Sequence, residues 1–237
     1  MTGNLRIIGL TMLLLAAGMC NAQTQTSVSR YPAYPLISCD PYFSVWSQAD
    51  KLTDTSTSHW TGKRQALTSL ARIDGKTYRL MGDEPADIPA MRQVDVQVLP
   101  TRTIYTFNQD NVLLDLIFFQ PALPDDIEWM SSPVVAVVWA FRPLMGTTHD
   151  VQVYVEGTAE LAVNEPSQQV EFFTDQMGPL SVLRTGTTEQ RVLGRKGDDL
   201  RIDWGYFYMA GDKSGIKQAV ITDAQQGRQA FAQGAEL

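Results

Sequence analysis

The sequence predicts an all-β fold, an antiparallel β-sandwich with little helix. Short runs alternate apolar and polar side chains, others are continuously apolar and rich in β-branched residues, and turn residues recur about every ten positions. Hydrophobic residues make up 44% of the 237-residue chain, enough for a real core.

Met1 to Ala22 reads as a secretory signal peptide, with a basic start at Arg6, an apolar run from Ile7 to Ala17 and small or polar residues before a cleavage point after Ala22. The run is shorter than the ~20 residues of a spanning helix. Export to the periplasm or medium follows, with no membrane span. Cys20 raises lipid anchoring as an alternative, but Met19 is bulky where a lipid-attachment box has a small residue. Residues 23–33 form a flexible lead-in, polar and rich in Gln, Thr and Ser over its first part.

A small N-terminal module spans 34–88. Pro41 to Trp46 (PYFSVW) sets Tyr42, Ser44 and Trp46 on one face of a strand, where they either wall a pocket or fill the core. Ala71 to Ile73 and Thr77 to Leu80 flank Asp74-Gly75, a dipeptide that accepts positive φ and closes a tight hairpin. The stretch GDEPADIP, near 82–89, marks a weak boundary. The sandwich domain, 89–237, begins with alternating strands at Gln93 to Leu99 and Thr101 to Phe107, and an apolar one at Val112 to Phe119. NQDN at 108–111 turns between the last two. Val134 to Phe141 and the Val151, Val153, Val155 alternation follow. Further strands are expected at Gln169 to Phe173, Ser181 to Arg184, Leu200 to Trp204 and Ala219 to Thr222. One helix is expected, Asp223 to Gln233, with Asp223 as its cap.

Charge narrows the partners. The formal net charge is −7, and loss of Arg6 with the leader takes it to about −8. A negative field without a Lys/Arg cluster disfavours nucleic acid and anionic membranes. With Cys39 alone after cleavage, the exported chain has no intramolecular disulfide to form. No HExxH, paired-Cys spacing or calcium loop is present, so neither metal nor cofactor is expected.

The densest polar chemistry is HWTGKR, His59 to Arg64: an imidazole, an indole and two cations around Gly62. Such cations grip a carboxylate, Arg in bidentate fashion; the bland alternative is a loop anchored by Trp60, with Lys63 and Arg64 in water. Cys39 with His59 makes a weak thiol and base pair. Asp125, Asp126 and Glu128, and likewise Asp198 and Asp199, read as solvated loop acids, and GRKGDD (194–199) as a turn. His149 in TTHD reads as a turn residue. No catalytic residue is identified.

PYFSVW, HWTGK and ARIDGKTYRLMG (Ala71 to Gly82) together resemble the secreted glutaminase A family, in order and in spacing. The resemblance implies an all-β region that precedes a helical, six-hairpin glycosidase-like domain in an enzyme converting L-glutamine to L-glutamate and ammonia. By that likeness 34–88 is a module of the glutaminase A type, the sandwich is incomplete on its C-terminal side, and the chain alone is inactive because the helical partner would carry catalysis. Trp46, His59, Trp60, Lys63 and Arg64 become the candidates to face a small substrate, an amino acid or a sugar. Two other readings remain: a glycan-active member of the same fold, and a free-standing sandwich that binds a ligand.

Overall fold

The computed structural model describes residues 31–237; the leader and most of the lead-in lie outside the described residues. Four antiparallel sheets organise the described residues. The first joins β1 (Tyr34–Asp40), β2 (Phe43–Ser47) and the two-residue β3 (Ser58–His59). β4 (Leu67–Ile73) and β5 (Lys76–Met81) form a hairpin whose Asp74 and Gly75 both take positive φ, 50° and 84°. The Asp-Gly pair is thus the turn its chemistry predicts.

β6 (Gln93–Leu99), β7 (Arg102–Gln109), β8 (Val112–Phe119) and β9 (Ala136–Pro143) make a four-stranded meander. Asp110 and Asn111 turn β7 into β8, again at positive φ, 49° and 60°. The short α1 (Ile127–Ser131) lies between β8 and β9, capped by Asp126, which accepts from the Trp129 N–H at 2.9 Å. That helix was not expected, and it gives one of the loop acids a capping role. β10 (Val151–Gly157) then returns to β4, pairing Val151 with Ile73 and Gly157 with Leu67. A strand from late in the chain therefore completes the sheet begun by the first hairpin.

The sandwich core lies between the meander and the first two sheets. Along β8 every second residue is buried, so Val112, Leu114, Leu116 and Phe118 face inward with Tyr105 and Phe107 of β7. Against them pack Leu36 and Ile37 of β1, Val45 of β2, and Ala71, Ile73, Leu80 and Met81 of the hairpin. The layers are tied by polar contacts as well: Trp139 Nε1 donates to Ser69 Oγ at 3.1 Å, and the Thr103 hydroxyl to Pro35 O at 2.6 Å.

A third three-stranded sheet holds β11 (Val170–Met177), β12 (Leu180–Thr187) and β13 (Phe207–Asp212). Here two expected strands are corrected. Residues 200–204 and 219–222 are not strands, and the third strand lies at 207–212 instead. The alternation in LRIDW arises because Arg201 and Asp203 are buried among side-chain acceptors and donors, not because the segment pairs with a neighbour. α2 (Ala224–Gln233) matches its expectation: the Asp223 carboxylate accepts from Gln225 N–H and Gln226 N–H, and Gly234 closes the end at φ 69°. Its Arg228 is buried, bound to Glu156 of β10 and to Glu84. Among the described residues no helix is long and apolar enough to cross a membrane.

Candidate functional site

His59 ends the short strand β3, opposite Val45, and the chain then turns tightly. The Gly62 N–H donates to His59 O at 2.9 Å, the His59 N–H donates to Lys63 O at 2.7 Å, and Gly62 takes φ +89°, where a side chain would be strained. The imidazole is fully buried. Its Nε2 donates to Pro41 O at 3.1 Å, which fixes the tautomer and leaves Nδ1 to accept from the Thr61 N–H at 3.3 Å, with the Thr61 hydroxyl oxygen 3.0 Å away. Burial holds the His59 pKa below its ordinary value; the Pro41 carbonyl pulls it upward and nearby Arg201 pushes it further down. This is a neutral histidine with both nitrogens engaged.

Thr61 links that turn to a segment some 140 residues later. Arg201, 3% exposed, donates from Nη1 to Thr61 Oγ1 at 3.3 Å and to Asp199 Oδ1 at 2.6 Å. Its Nε and Nη2 both donate to Asn164 O, at 2.9 and 2.6 Å. The Thr61 hydroxyl, and after it Arg201, hold the Asp199 carboxyl below the usual carboxylate range. Next to this network the Ile202 N–H donates to Tyr42 O at 2.9 Å, and the rings of Tyr42 and Trp204 lie 5.9 Å apart.

The five side chains singled out from the sequence are distributed unequally around this junction. Trp60 packs beside His59, ring centroids 5.6 Å apart, and its indole N–H donates to the same Pro41 oxygen at 2.8 Å, leaving the ring half exposed. Lys63 is exposed. Arg64 reaches away to Glu160, donating to both carboxylate oxygens at 2.7 Å, and to Ser56 Oγ at 3.3 Å. Trp46 is half-buried on β2, with its indole N–H on Ser44 Oγ. The one-face arrangement of Ser44 and Trp46 is thus present.

Thr61, Asn164 and Arg201 are the members that sequence reasoning did not find; Asp199 is exposed, as expected of a loop acid, and in addition accepts from Arg201. One signal was available: Arg201 is a lone cation between Leu200 and Ile202, a charge inside an apolar alternation. Cys39 is half-buried, and burial followed by Asp40 pushes its thiol up to about 11. At neutral pH it is therefore a thiol and a weak nucleophile. His149, in its turn, bridges Asp74 at 2.7 Å and Thr147 at 2.8 Å, pinning the turn before β10 to the first hairpin. Chemically, the junction is a closed hydrogen-bonded frame that presents the Trp60 ring to solvent.

The family described as Domain of unknown function (DUF5127) matches residues 101–237, and a second, Domain of unknown function (DUF4964), matches residues 12–93. Glutaminase A of Aspergillus oryzae (strain ATCC 42149 / RIB 40) is 26% identical over 228 residues, covering 91% of this chain and 32% of that protein. The chain therefore spans about a third of the length of this relative. This similarity agrees with the glutaminase A family that the sequence resembles. No solved structure matches the chain.

Proposed function

We propose, for a chain that belongs to the family described as Domain of unknown function (DUF5127), a role as the N-terminal, non-catalytic β region of an exported glutaminase A-like amidohydrolase. The observation that carries this reading is coverage: the similarity runs over 91% of this chain but only 32% of Glutaminase A. In this reading a helical domain follows the β region and supplies the groups that hydrolyse the side-chain amide of L-glutamine to L-glutamate and ammonia.

The site chemistry supports that division of labour. Amide hydrolysis needs a base within reach of water and donors aimed at the developing oxyanion. Both nitrogens of His59 are engaged, and Cys39 stays protonated. In this reading Trp60 and Lys63 face substrate or helical partner, His59 and Trp46 stand behind them, and Arg64 is taken up by Glu160. Exposed apolar side chains on and around the meander, including Val138, Ile127, Trp129 and Met130, suit a sandwich that a further domain covers.

Ammonia release from L-glutamine tests the reading, measured for this chain beside a product of the same locus extended past Leu237. Activity confined to the longer product is the expected result. Turnover by this chain alone would overturn the non-catalytic role, and an inactive longer product would overturn the glutaminase assignment. One observation favours a second reading in that event. The half-exposed Trp60 ring and the Tyr42 and Trp204 pair offer faces on which a sugar stacks, and release of reducing sugar from glycans would report it.

A further inference from the structure

Where the turn before β10 meets the first hairpin, Thr147, His149 and Asp74 form one hydrogen-bonded chain. His149 Nδ1 stands 2.7 Å from Asp74 Oδ2, and His149 Nε2 stands 2.8 Å from the Thr147 hydroxyl oxygen. The His149 bond, and after it the Asp150 N–H at 3.0 Å on Oδ1, hold the Asp74 carboxyl below its usual range, so it is ionised at neutral pH. A carboxylate only accepts. In the neutral ring the hydrogen therefore sits on Nδ1, and Nε2 turns a free lone pair toward Thr147.

Asp74 alone suffices to pin this turn, through His149 and the Asp150 N–H; Thr147 adds a hydroxyl on the other ring nitrogen. That hydroxyl also lies 2.8 Å from Leu144 O, and rotation about Cβ–Oγ carries its one proton from that carbonyl to Nε2. Thr147 is exposed, and both it and His149 line a cavity of about 230 Å³. The walls are apolar, from Val112, Phe141, Pro143 and Val151, and the lining carries no carboxylate or cation besides the imidazole. Directly after Thr147, the Thr148 and His149 N–H groups donate to no acceptor among the described residues.

We propose that this cavity hydrolyses small uncharged esters of short-chain acids, with Thr147 as nucleophile, His149 as its base and Asp74 positioning the ring. Alcohol, imidazole and carboxylate joined in that order through the two ring nitrogens is the arrangement that makes a hydroxyl nucleophilic. Thr147 Oγ bonds to the ester carbonyl carbon and its proton passes to Nε2; the carbon–alkoxy bond then breaks and the departing alkoxide takes that proton. Water repeats the sequence on the acyl-threonine, giving its proton to Nε2 and its oxygen to the acyl carbon. The carboxylic acid leaves and the proton returns to Thr147. The Thr148 and His149 N–H groups are the donors available to the tetrahedral oxyanion. Apolar walls suit the acyl chain, and an uncharged lining suits an ester rather than an amino acid. The activity is separate from glutamine hydrolysis, does not rest on the glutaminase reading, and would not register as ammonia release.

Nitrophenolate release from p-nitrophenyl acetate and p-nitrophenyl butyrate by the whole chain tests it. Saturable hydrolysis above buffer is expected. Thr147→Ala and His149→Ala should each lower kcat/KM at least about a hundredfold, the share that a positioned base supplies. Thr147→Ser should keep the activity, and Asp74→Asn should lower kcat with KM unchanged, because Asp74 acts through the ring. A fluorophosphonate added to the unaltered chain should attach to Thr147, located by peptide mass spectrometry, a result that needs no variant to fold. Release no faster than in buffer, a rate indifferent to Thr147→Ala, or attachment at another residue would each overturn the proposal, leaving His149 as a pin for the turn.

Discussion

His59 and Asp203 are both buried polar side chains, yet their surroundings differ in one respect. Both ring nitrogens of His59 have a partner supplied by the chain, whereas one oxygen of Asp203 has none among the described residues. Burial alone therefore says little about role. A closed network spends its groups on holding the fold, while a buried oxygen without a partner adds a desolvation cost that the rest of the packing offsets.

Four experiments would break or sharpen this contrast. The largest effect is expected at Arg201, which joins the His59 turn to Asn164. Arg201→Ala removes a buried cation from three acceptors and should lower unfolding free energy by about 3–5 kcal/mol, read as a drop in denaturant midpoint. His59→Ala comes next at about 1–3 kcal/mol, since it strands Thr61 and leaves one donor fewer on the Pro41 carbonyl. If instead it were silent, the closed network would not be holding the turn.

Acid gives a smaller, directional effect. The folded His59 pKa is lowered, so the unfolded chain takes up a proton first as pH falls below about 6.5. Stability contributed by His59 is complete above that pH and declines below it, with a ceiling of about 1.4 kcal/mol per pH unit for one proton. His59→Gln should flatten that part of a stability profile, and an unchanged slope would remove His59 from the account. Asp203→Asn should have the smallest effect. Asn can accept from Gln168 and Arg195 at one position and place its amide nitrogen at the empty one, so a loss under about 1 kcal/mol is expected in thermal melts. A large loss there would make Asp203 structural after all.

What the sequence disclosed follows the range of the interactions. Asp74-Gly75, Asp110-Asn111 and the Asp223 cap act over two or three residues, so each was legible as a turn or a helix start. The alternation of β8 was legible because burial on one face imposes a period of two. β13 was hidden: FYMAGD has no clean alternation and ends in Gly-Asp, and it is a strand because β12 pairs with it. Residues 200–204 misled in the opposite way, since their alternation reflects buried side-chain bonds. Four of the five candidate side chains, His59, Trp60, Lys63 and Arg64, were legible as a dense polar block, with Trp46 apart on β2. The tie of neighbouring Thr61 to Arg201, and the meeting of Asp203 with Gln168, depend on contacts across many residues, which no spacing rule encodes.

The return of β10 to β4 also sets a clock on biosynthesis. Ile73 leaves the ribosome 78 residues ahead of its partner Val151, and Leu67 leaves 90 residues ahead of Gly157. At about 5–20 residues per second, the first hairpin waits roughly 4 to 18 seconds with one flank of β4 unpaired. Through that interval a strand that ends up almost wholly buried presents open backbone groups to any other chain nearby. The nascent protein, rather than the finished one, is where aggregation would begin, and a chaperone acting before residue 151 is made would have the most to protect.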